Sequence, residues 1–327
     1  MTVSAAKSVS FQSLFSICCS LLIFSLITIH CSLFTLQAVD TGADFLKLGV
    51  GGRPSGMGEA FVAEQSDFFS PFWNPAGISG IESTEAGTMH SEVIQDAALQ
   101  SFGAAFPVRR TGGTAAVNAL FFSNDPVPVT GSQGEFLGDL KWQDRALILS
   151  YAGRVGKHLH AGLGLRYIER RESDPVFGTA RGDAFAGDLG LIIRLPSLKN
   201  AAFGLSLLNA GSKIRMEGEK KKDDLPRTVR AGVACSGKIS EDDSFLLALE
   251  ISRILSGEWQ TGAGIEYSLQ KLFFVRTGYF VKEGRLEGLT YGVGARIKAF
   301  RIDWANVPSS ELIGFERSSR ISFSVGF

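Results

Sequence analysis

The chain has 327 residues, with 33 Lys and Arg against 33 Asp and Glu, so its formal net charge is zero. That balance argues against a nucleic-acid partner, which draws on a basic surplus. Mean hydropathy is only +0.13, and the single long apolar run lies near the N-terminus, which excludes a bundle of transmembrane helices.

Residues 14–36 contain no charge and are mostly Leu, Ile, Phe, Cys and Ser, a stretch long enough to span a bilayer. Lys7 precedes it, and Leu36-Gln37-Ala38 follows as a small-residue cleavage site before Val39. Residues 1–38 are therefore expected to be a secretory signal, although the length alone also fits a retained anchor. Removal takes away Lys7 and no acid, leaving 32 basic (33 minus 1) against 33 acidic residues. Cys18, Cys19 and Cys31 leave with it, and Cys235 alone cannot form an intramolecular disulfide.

Residues 39–82 hold two motifs. Gly49-Val50-Gly51-Gly52-Arg53-Pro54-Ser55-Gly56-Met57-Gly58-Glu59-Ala60-Phe61 is dense in glycine, and Phe72-Trp73-Asn74-Pro75-Ala76-Gly77-Ile78 carries a turn-initiating Asn-Pro. A phosphate loop would need a strand-glycine-helix unit and a following Lys, and neither is present.

From residue 83 to 327 the pattern is about fourteen alternating segments of roughly ten residues, the signature of a transmembrane antiparallel β-barrel. The fold class expected is all-β. Trp259, Thr261, Ala263, Ile265 and Tyr267, for example, alternate with Gln260, Gly262, Gly264, Glu266 and Ser268. The polar parity collects Arg166, Asp188, Arg230, Glu250, Glu266, Arg276 and Arg296. An Arg or Lys on a lipid face near the midplane costs about 2–4 kcal/mol, so these charges are expected to face the lumen. Taken singly, each strand also permits the solvated face of a soluble sandwich. The Tyr and Trp near strand ends, with aliphatics between them, favour the membrane barrel.

Three long connections, Ser123 to Arg145, Glu169 to Ala184 and Asn209 to Arg227, fall at one end of the barrel, as outer loops do, and several short ones, Gly156-Lys157 and Lys298-Ala299 among them, fall at the other, with Ser236 to Ser244 as the exception. The last of the three long connections holds Glu217, Glu219, Lys220, Lys221, Lys222, Asp223 and Asp224, read as a solubilising patch. Both ends of the mature polypeptide are expected below the membrane. The final strand puts Ile321, Phe323, Val325 and Phe327 on one face and Ser322, Ser324 and Gly326 on the other. Phe323, Val325 and the terminal Phe327 resemble the signal that the outer-membrane barrel-assembly machinery of Gram-negative bacteria reads.

No catalytic, cofactor-binding or metal set is expected. The mature chain has His90, His158 and His160, without a Cys or acidic cluster beside them, and His90 and Ser91 point to opposite strand faces.

The Gly-Met-Gly-Glu-Ala-Phe stretch, a polar spacer containing Asp67 and then Trp-Asn-Pro-Ala-Gly together resemble the FadL-type outer-membrane barrels, and within them most closely the PorV/PorQ group. The resemblance implies a fourteen-stranded barrel with the N-terminal segment folded inside as a hatch, and the barrel is expected to be monomeric. The resemblance also implies that Asn74, Pro75, Ala76 and Gly77 form the turn where the hatch meets the wall, with Gly56, Met57, Gly58 and Trp73 completing the motif. The function preferred on this basis is a non-enzymatic protein that binds or passes cargo at the outer membrane as a protein-secretion accessory. The alternative is a FadL-like passive transporter of long-chain fatty acids or other hydrophobic molecules. Partners would be outer-membrane lipid and either exported protein cargo or a hydrophobic ligand. A conduit predicts an apolar pocket beside the hatch and a break in the wall, and a tightly closed, polar-packed lumen would count against it. A diffusion porin ranks last, because a hatch obstructs the pore.

Overall fold

The computed structural model describes residues 41–93, 97–195, 198, 200–255, 257, 259–282, 286–308 and 317–327, without the side chains of 286 and 287. The expected signal over 1–38 and its cleavage site lie outside the described residues. Alternation produces fifteen strands: β1 (Glu85–Glu92), β2 (Ala97–Val108), β3 (Gly113–Asn124), β4 (Val127–Thr130), β5 (Phe136–Arg154), β6 (Leu159–Asp174), β7 (Gly178–Arg194), β8 (Ala201–Gly211), β9 (Thr228–Lys238), β10 (Ser244–Ile254), β11 (Trp259–Leu269), β12 (Phe273–Lys282), β13 (Leu286–Ile297), β14 (Phe300–Pro308) and β15 (Arg317–Gly326).

Fourteen of them form one closed antiparallel barrel. Neighbours in sequence pair, β1 pairs with β15, and β3 pairs directly with β5 to complete the ring. The short β4 lies outside the ring, against the first residues of β5. Closure leaves no unpaired edge in the wall, which is what a bilayer demands of a sheet.

The two parities separate as the charges predicted. Leu163, Leu189 and Val275 are 60%, 53% and 57% exposed on the outside, whereas their neighbours Asp188 and Arg276 are 2% and 1% exposed inside. Aromatic side chains toward strand ends on the outer face include Tyr151, Trp259, Tyr267 and Tyr279. An apolar belt with aromatic flanks on a closed barrel defines an outer-membrane-type wall.

Turns are short at the end that holds Phe327, where 109–112, 155–158 and 298–299 join strands. The opposite end, called here the loop end, carries 125–135 and 212–227. Two of the three expected long loops are instead largely strand. β5 begins at Phe136, and β6 and β7 run as a hairpin that closes between Asp174 and Gly178. Beyond the apolar belt both sheet faces meet water, so charged residues occupy both parities and the apolar alternation fades. The backbone ladder does not need it and continues from Arg145↔Glu169 to Lys141↔Ser173.

The described N-terminal segment also departs from expectation. The Gly42 N–H donates to the Asp224 carbonyl at 3.0 Å, and Arg170 Nη1 donates to the Gly42 carbonyl at 2.9 Å. Residue 42 therefore sits at the loop end, opposite Phe327. The segment traverses the lumen before β1 begins, so the two described ends of the chain lie at opposite mouths.

Candidate functional site

The site is the lumen and the segment that fills it. Residues 41–81 contain one short helix, α1 (Gly52–Gly56), and 3-10 turns at Asp44–Lys47, Ser70–Phe72 and Pro75–Gly80. Glycine and proline prevent a longer helix, and the segment takes its shape from the wall. A Cβ on Gly264 of β11 would lie 2.3 Å from the Met57 carbonyl oxygen, and one on Gly278 of β12 would lie 2.2 Å from the Gly58 nitrogen. Across the lumen, a Cβ on Gly162 of β6 would lie 2.4 Å from the Ala76 nitrogen. Inward-facing glycines thus let backbone rest directly on backbone.

Each motif residue has a defined place. Thr290 Oγ1 accepts from the Gly58 N–H at 3.0 Å and donates to the Gly56 carbonyl at 3.1 Å, which fastens α1 to β13. Met57 is fully buried. Asn74 caps the turn that starts at Pro75: its Oδ1 accepts from the Ala76 N–H at 3.0 Å, while its Nδ2 donates to the Val62 and Leu191 carbonyls. The Gly77 carbonyl accepts from the Ser66 N–H. Trp73 is buried, donates from Nε1 to the Val50 carbonyl at 2.9 Å, and lies under the Arg230 guanidinium at 4.8 Å.

On the β11–β15 side the fit is ionic. Arg53 of α1 donates from Nε to Glu266 at 3.0 Å and from Nη2 to Glu64 at 2.8 Å, with Asp67 at 3.8 Å. Arg276 joins Glu266 to Asp303, and Arg301 completes the chain on Asp303 at 2.7 Å. Burial pushes the Arg53 guanidinium down, but Glu266, Glu64 and Asp67 outweigh it and hold it well above the usual range. Glu59 forms a second centre, meeting Arg320 at 3.2 Å, Gln260 at 2.8 Å and Lys282 at 3.4 Å. Burial pushes its carboxyl up, yet Lys282, Arg320 and the Gln260 amide bring it down to about 2.

The side from β6 to β10 carries two separate ion pairs with apolar residues between them. Glu250 Oε2 accepts from the Phe61 and Val62 N–H groups at 2.8 Å each, and its Oε1 accepts from Arg230 at 2.6 Å. Arg166 binds the Pro71 carbonyl at 2.9 Å and pairs with Asp188. Between these pairs lies a chamber lined by Leu46, Leu48, Val50, Phe72, Trp73, Leu120 and Leu208 and by the polar Arg166, Asn209, Thr228 and Arg230, with a free volume of about 10 Å³, room for about one water. Beside it the wall loses register: Gly187 faces Ala210 but Leu189 faces Leu207. The extra residue on β8 is absorbed at Asn209, whose φ is 59°, a conformation Asn tolerates better than most residues. There Asp188 Oδ1 accepts the Asn209 N–H at 2.8 Å, so a side chain replaces a ladder bond.

Six of the seven charges drawn from strand parity, Arg166, Asp188, Arg230, Glu250, Glu266 and Arg276, thus meet the segment or its ion pairs. Arg296 lies toward the Phe327 end, exposed, with its guanidinium 5.8 Å from the Phe274 ring. Parity alone would also have reached Asp303 and Arg320, which occupy the same inward face. Arg53, Glu59 and Glu64 had no such signal, since their segment has no strand period. Phe323 and Phe327 are exposed, with Phe323 stacked on Phe300, and Val325 is half-buried.

No family model matches the chain, and no curated protein matches it. Solved structures do. A monoaromatic hydrocarbon channel, CymD, is 12% identical with a TM-score of 0.61, over 85% of this chain and 98% of its own. The toluene transporter TbuX of Ralstonia pickettii is 13% identical with a TM-score of 0.57, over 85% and 98%. A FadL homologue of Pseudomonas aeruginosa is 11% identical with a TM-score of 0.51, over 90% and 99%. The fold is therefore that of the FadL-like outer-membrane barrels. At these identities the likeness concerns architecture alone.

Proposed function

We propose that the protein is a non-enzymatic outer-membrane barrel that passes small hydrophobic molecules through the β6–β9 side of its lumen. The observation that carries this reading is a small buried chamber, with an aliphatic and aromatic side and a polar side of Arg166, Asn209, Thr228 and Arg230, set against the register break between β7 and β8. The β11–β15 side has the polar packing that would count against a conduit, whereas the chamber side combines an aliphatic and aromatic lining, interrupted by the Arg166 and Arg230 guanidiniums, with a register break in the wall. The chamber is closed, so passage requires Leu46 to Val50 or Trp73 to move. That the solved structures of this fold include toluene and monoaromatic hydrocarbon transporters supports the same reading, and the secretion-accessory role within the PorV/PorQ group stands second.

The test is uptake of labelled toluene and of a labelled long-chain fatty acid by cells that produce the wild type or Leu208→Trp, which fills the chamber. Wild type should accelerate uptake of at least one, and the variant should lose most of that gain while migrating as a folded barrel. No acceleration by the wild type would refute the proposal. Crosslinking of exported proteins to the loop end would favour the secretion role instead. The same reading assigns residues 1–38 to a cleaved secretory signal, checked by N-terminal sequencing that should begin at Val39. It also assigns Phe323, Val325 and Phe327 to recognition by the assembly machinery, so deletion of Phe327 should reduce the amount of barrel in the membrane.

A further inference from the structure

On the outward face of β5, β6 and β7 the chemistry changes within one step of the pleat. Leu147, Tyr167 and Phe185 stand in register across the three strands, with the Tyr167 and Phe185 rings 5.2 Å apart. The next outward row toward the loop end is Arg145, Glu169 and Asp183, and the row beyond is Gln143, Arg171 and Arg181. Arg145 and Arg181 both pair with Glu169, one on each carboxylate oxygen, and Arg181 also donates to the Tyr167 hydroxyl at 3.2 Å. Arg171 is exposed and has no acidic partner among the described residues. Against this ledge opens a groove of about 890 Å³ whose cations include Arg181, Arg215 and Lys222 and whose acids include Glu217 and Glu219.

Cations on the lipid-facing parity are costly within the acyl region and favourable at headgroup level, where anionic groups await them. Tyr and Phe immediately below them mark that level. A guanidinium engaged on one side keeps its other N–H groups for a phosphate, and Arg matches phosphate oxygens in a fork. At the opposite end two exposed strand cations behave differently: Arg154 and Arg194 are on the inward parity, and Arg194 binds Gln65 of the lumen segment. Among the described residues, single outward guanidiniums also stand at the loop end at Arg253 and Arg317, over Trp259 and Tyr291, but the β5–β7 ledge gathers three of them on adjacent strands.

We propose that the Arg145, Arg171 and Arg181 ledge binds the phosphates of a phosphorylated glycolipid of the outer leaflet. The loop end faces that leaflet, which selects the glycolipid over a phospholipid. This inference is independent of what passes through the lumen.

The experiment is native mass spectrometry of the intact barrel in detergent, titrated with a bisphosphorylated glucosamine glycolipid, its dephosphorylated form, or phosphatidylglycerol. The bisphosphorylated form should bind most tightly. R171A/R181A should weaken it about thirtyfold, at about fivefold for each cation lost near an anionic headgroup. Arg253→Ala, on β10 at the same end, should leave binding unchanged. If the double variant lost its heat-modifiable migration, R171Q, whose side chain holds no ion pair, would carry the test with a loss of about fivefold. Equal binding of the dephosphorylated form or of phosphatidylglycerol, or no change in the folded variant, would overturn the proposal.

Discussion

Around Arg53, on the β11–β15 side, the lumen segment is tied to the wall by a chain of opposite charges that runs through Glu266, Arg276 and Asp303. Around Trp73, on the β6–β9 side, Leu46, Leu48, Val50 and Leu208 surround a small chamber against a wall whose register slips at Asp188. The difference teaches where movement is cheap. A buried ion pair resists separation because either partner left alone keeps its desolvation penalty. Aliphatic contacts are non-directional and can be exchanged for contacts with an apolar guest of similar area. The β11–β15 side therefore holds the denser charge network, and on the proposed reading it is the apolar contacts around Trp73, between the Arg166–Asp188 and Arg230–Glu250 pairs, that yield.

The largest effect should come from breaking that network, the anchor of the segment. Glu266→Ala leaves Arg53 and Arg276 without their shared carboxylate, and the loss of one partner of a buried pair costs about 3–5 kcal/mol. Lower resistance of the heat-modifiable form to denaturant, with new protease cuts within residues 41–81, would report it. Unchanged midpoint and cleavage would break the comparison.

Acid should act on the same side and somewhat less. Glu59 has a carboxyl held down to about 2 in the folded protein against an ordinary 4.5. A depressed acid contributes its stability above the ordinary value and loses it as pH falls through the folded value. Docking of the segment should thus weaken between about pH 4.5 and 2, by roughly 3 kcal/mol at the acid limit. Hydrogen exchange of residues 52–62 across that range measures it, and Glu59→Gln should flatten the profile.

Gly278→Val should come next. Its side chain meets the Gly58 nitrogen, and overpacking of this kind costs about 1–3 kcal/mol. The expected result is a folded barrel whose lumen segment is cut by protease, whereas Gly112→Val, with nothing within 4 Å of its Cβ but a φ of +69°, should leave the segment protected.

The smallest change sharpens the route. Val50→Ala should destabilise the protein by only about 1–2 kcal/mol while enlarging the chamber, so hydrophobic uptake should rise. Unchanged uptake with a measurable loss of stability would mean that the chamber is merely a packing defect.

The wall was legible in the sequence because its physics is periodic. Alternation alone separates Leu163 from Arg166 and Val275 from Arg276, and it assigns the inward charges to one parity. Legibility ended where the period ended. Strand residues of β5 to β7 beyond the belt looked like loop because water wets both of their faces. The contacts of the lumen segment were also hidden, since Arg53 meets Glu266 and Gly58 meets Gly278 across some two hundred residues with no repeating spacing. One trace was present. Gly162, Gly190, Gly264 and Gly278 all fall on the charged parity, and glycine on the inward face of a barrel strand marks where another backbone approaches. The traverse of the segment from one mouth to the other left no mark at all, because its start is fixed by the Gly42 N–H donating to the Asp224 carbonyl and by Arg170 donating to the Gly42 carbonyl.

The central claim, that solutes pass while the β11–β15 anchor stays closed, is tested most directly by a reversible lock. A Cβ on Gly52 would lie 3.0 Å from Ser322 Oγ, so Gly52→Cys with Ser322→Cys, in a Cys235→Ser background, can join the segment to β15 by a disulfide. Uptake of a labelled hydrophobic solute should be the same with the bond oxidised and reduced. Uptake that stops on oxidation and returns on reduction would contradict the account, because the anchor would then have to open.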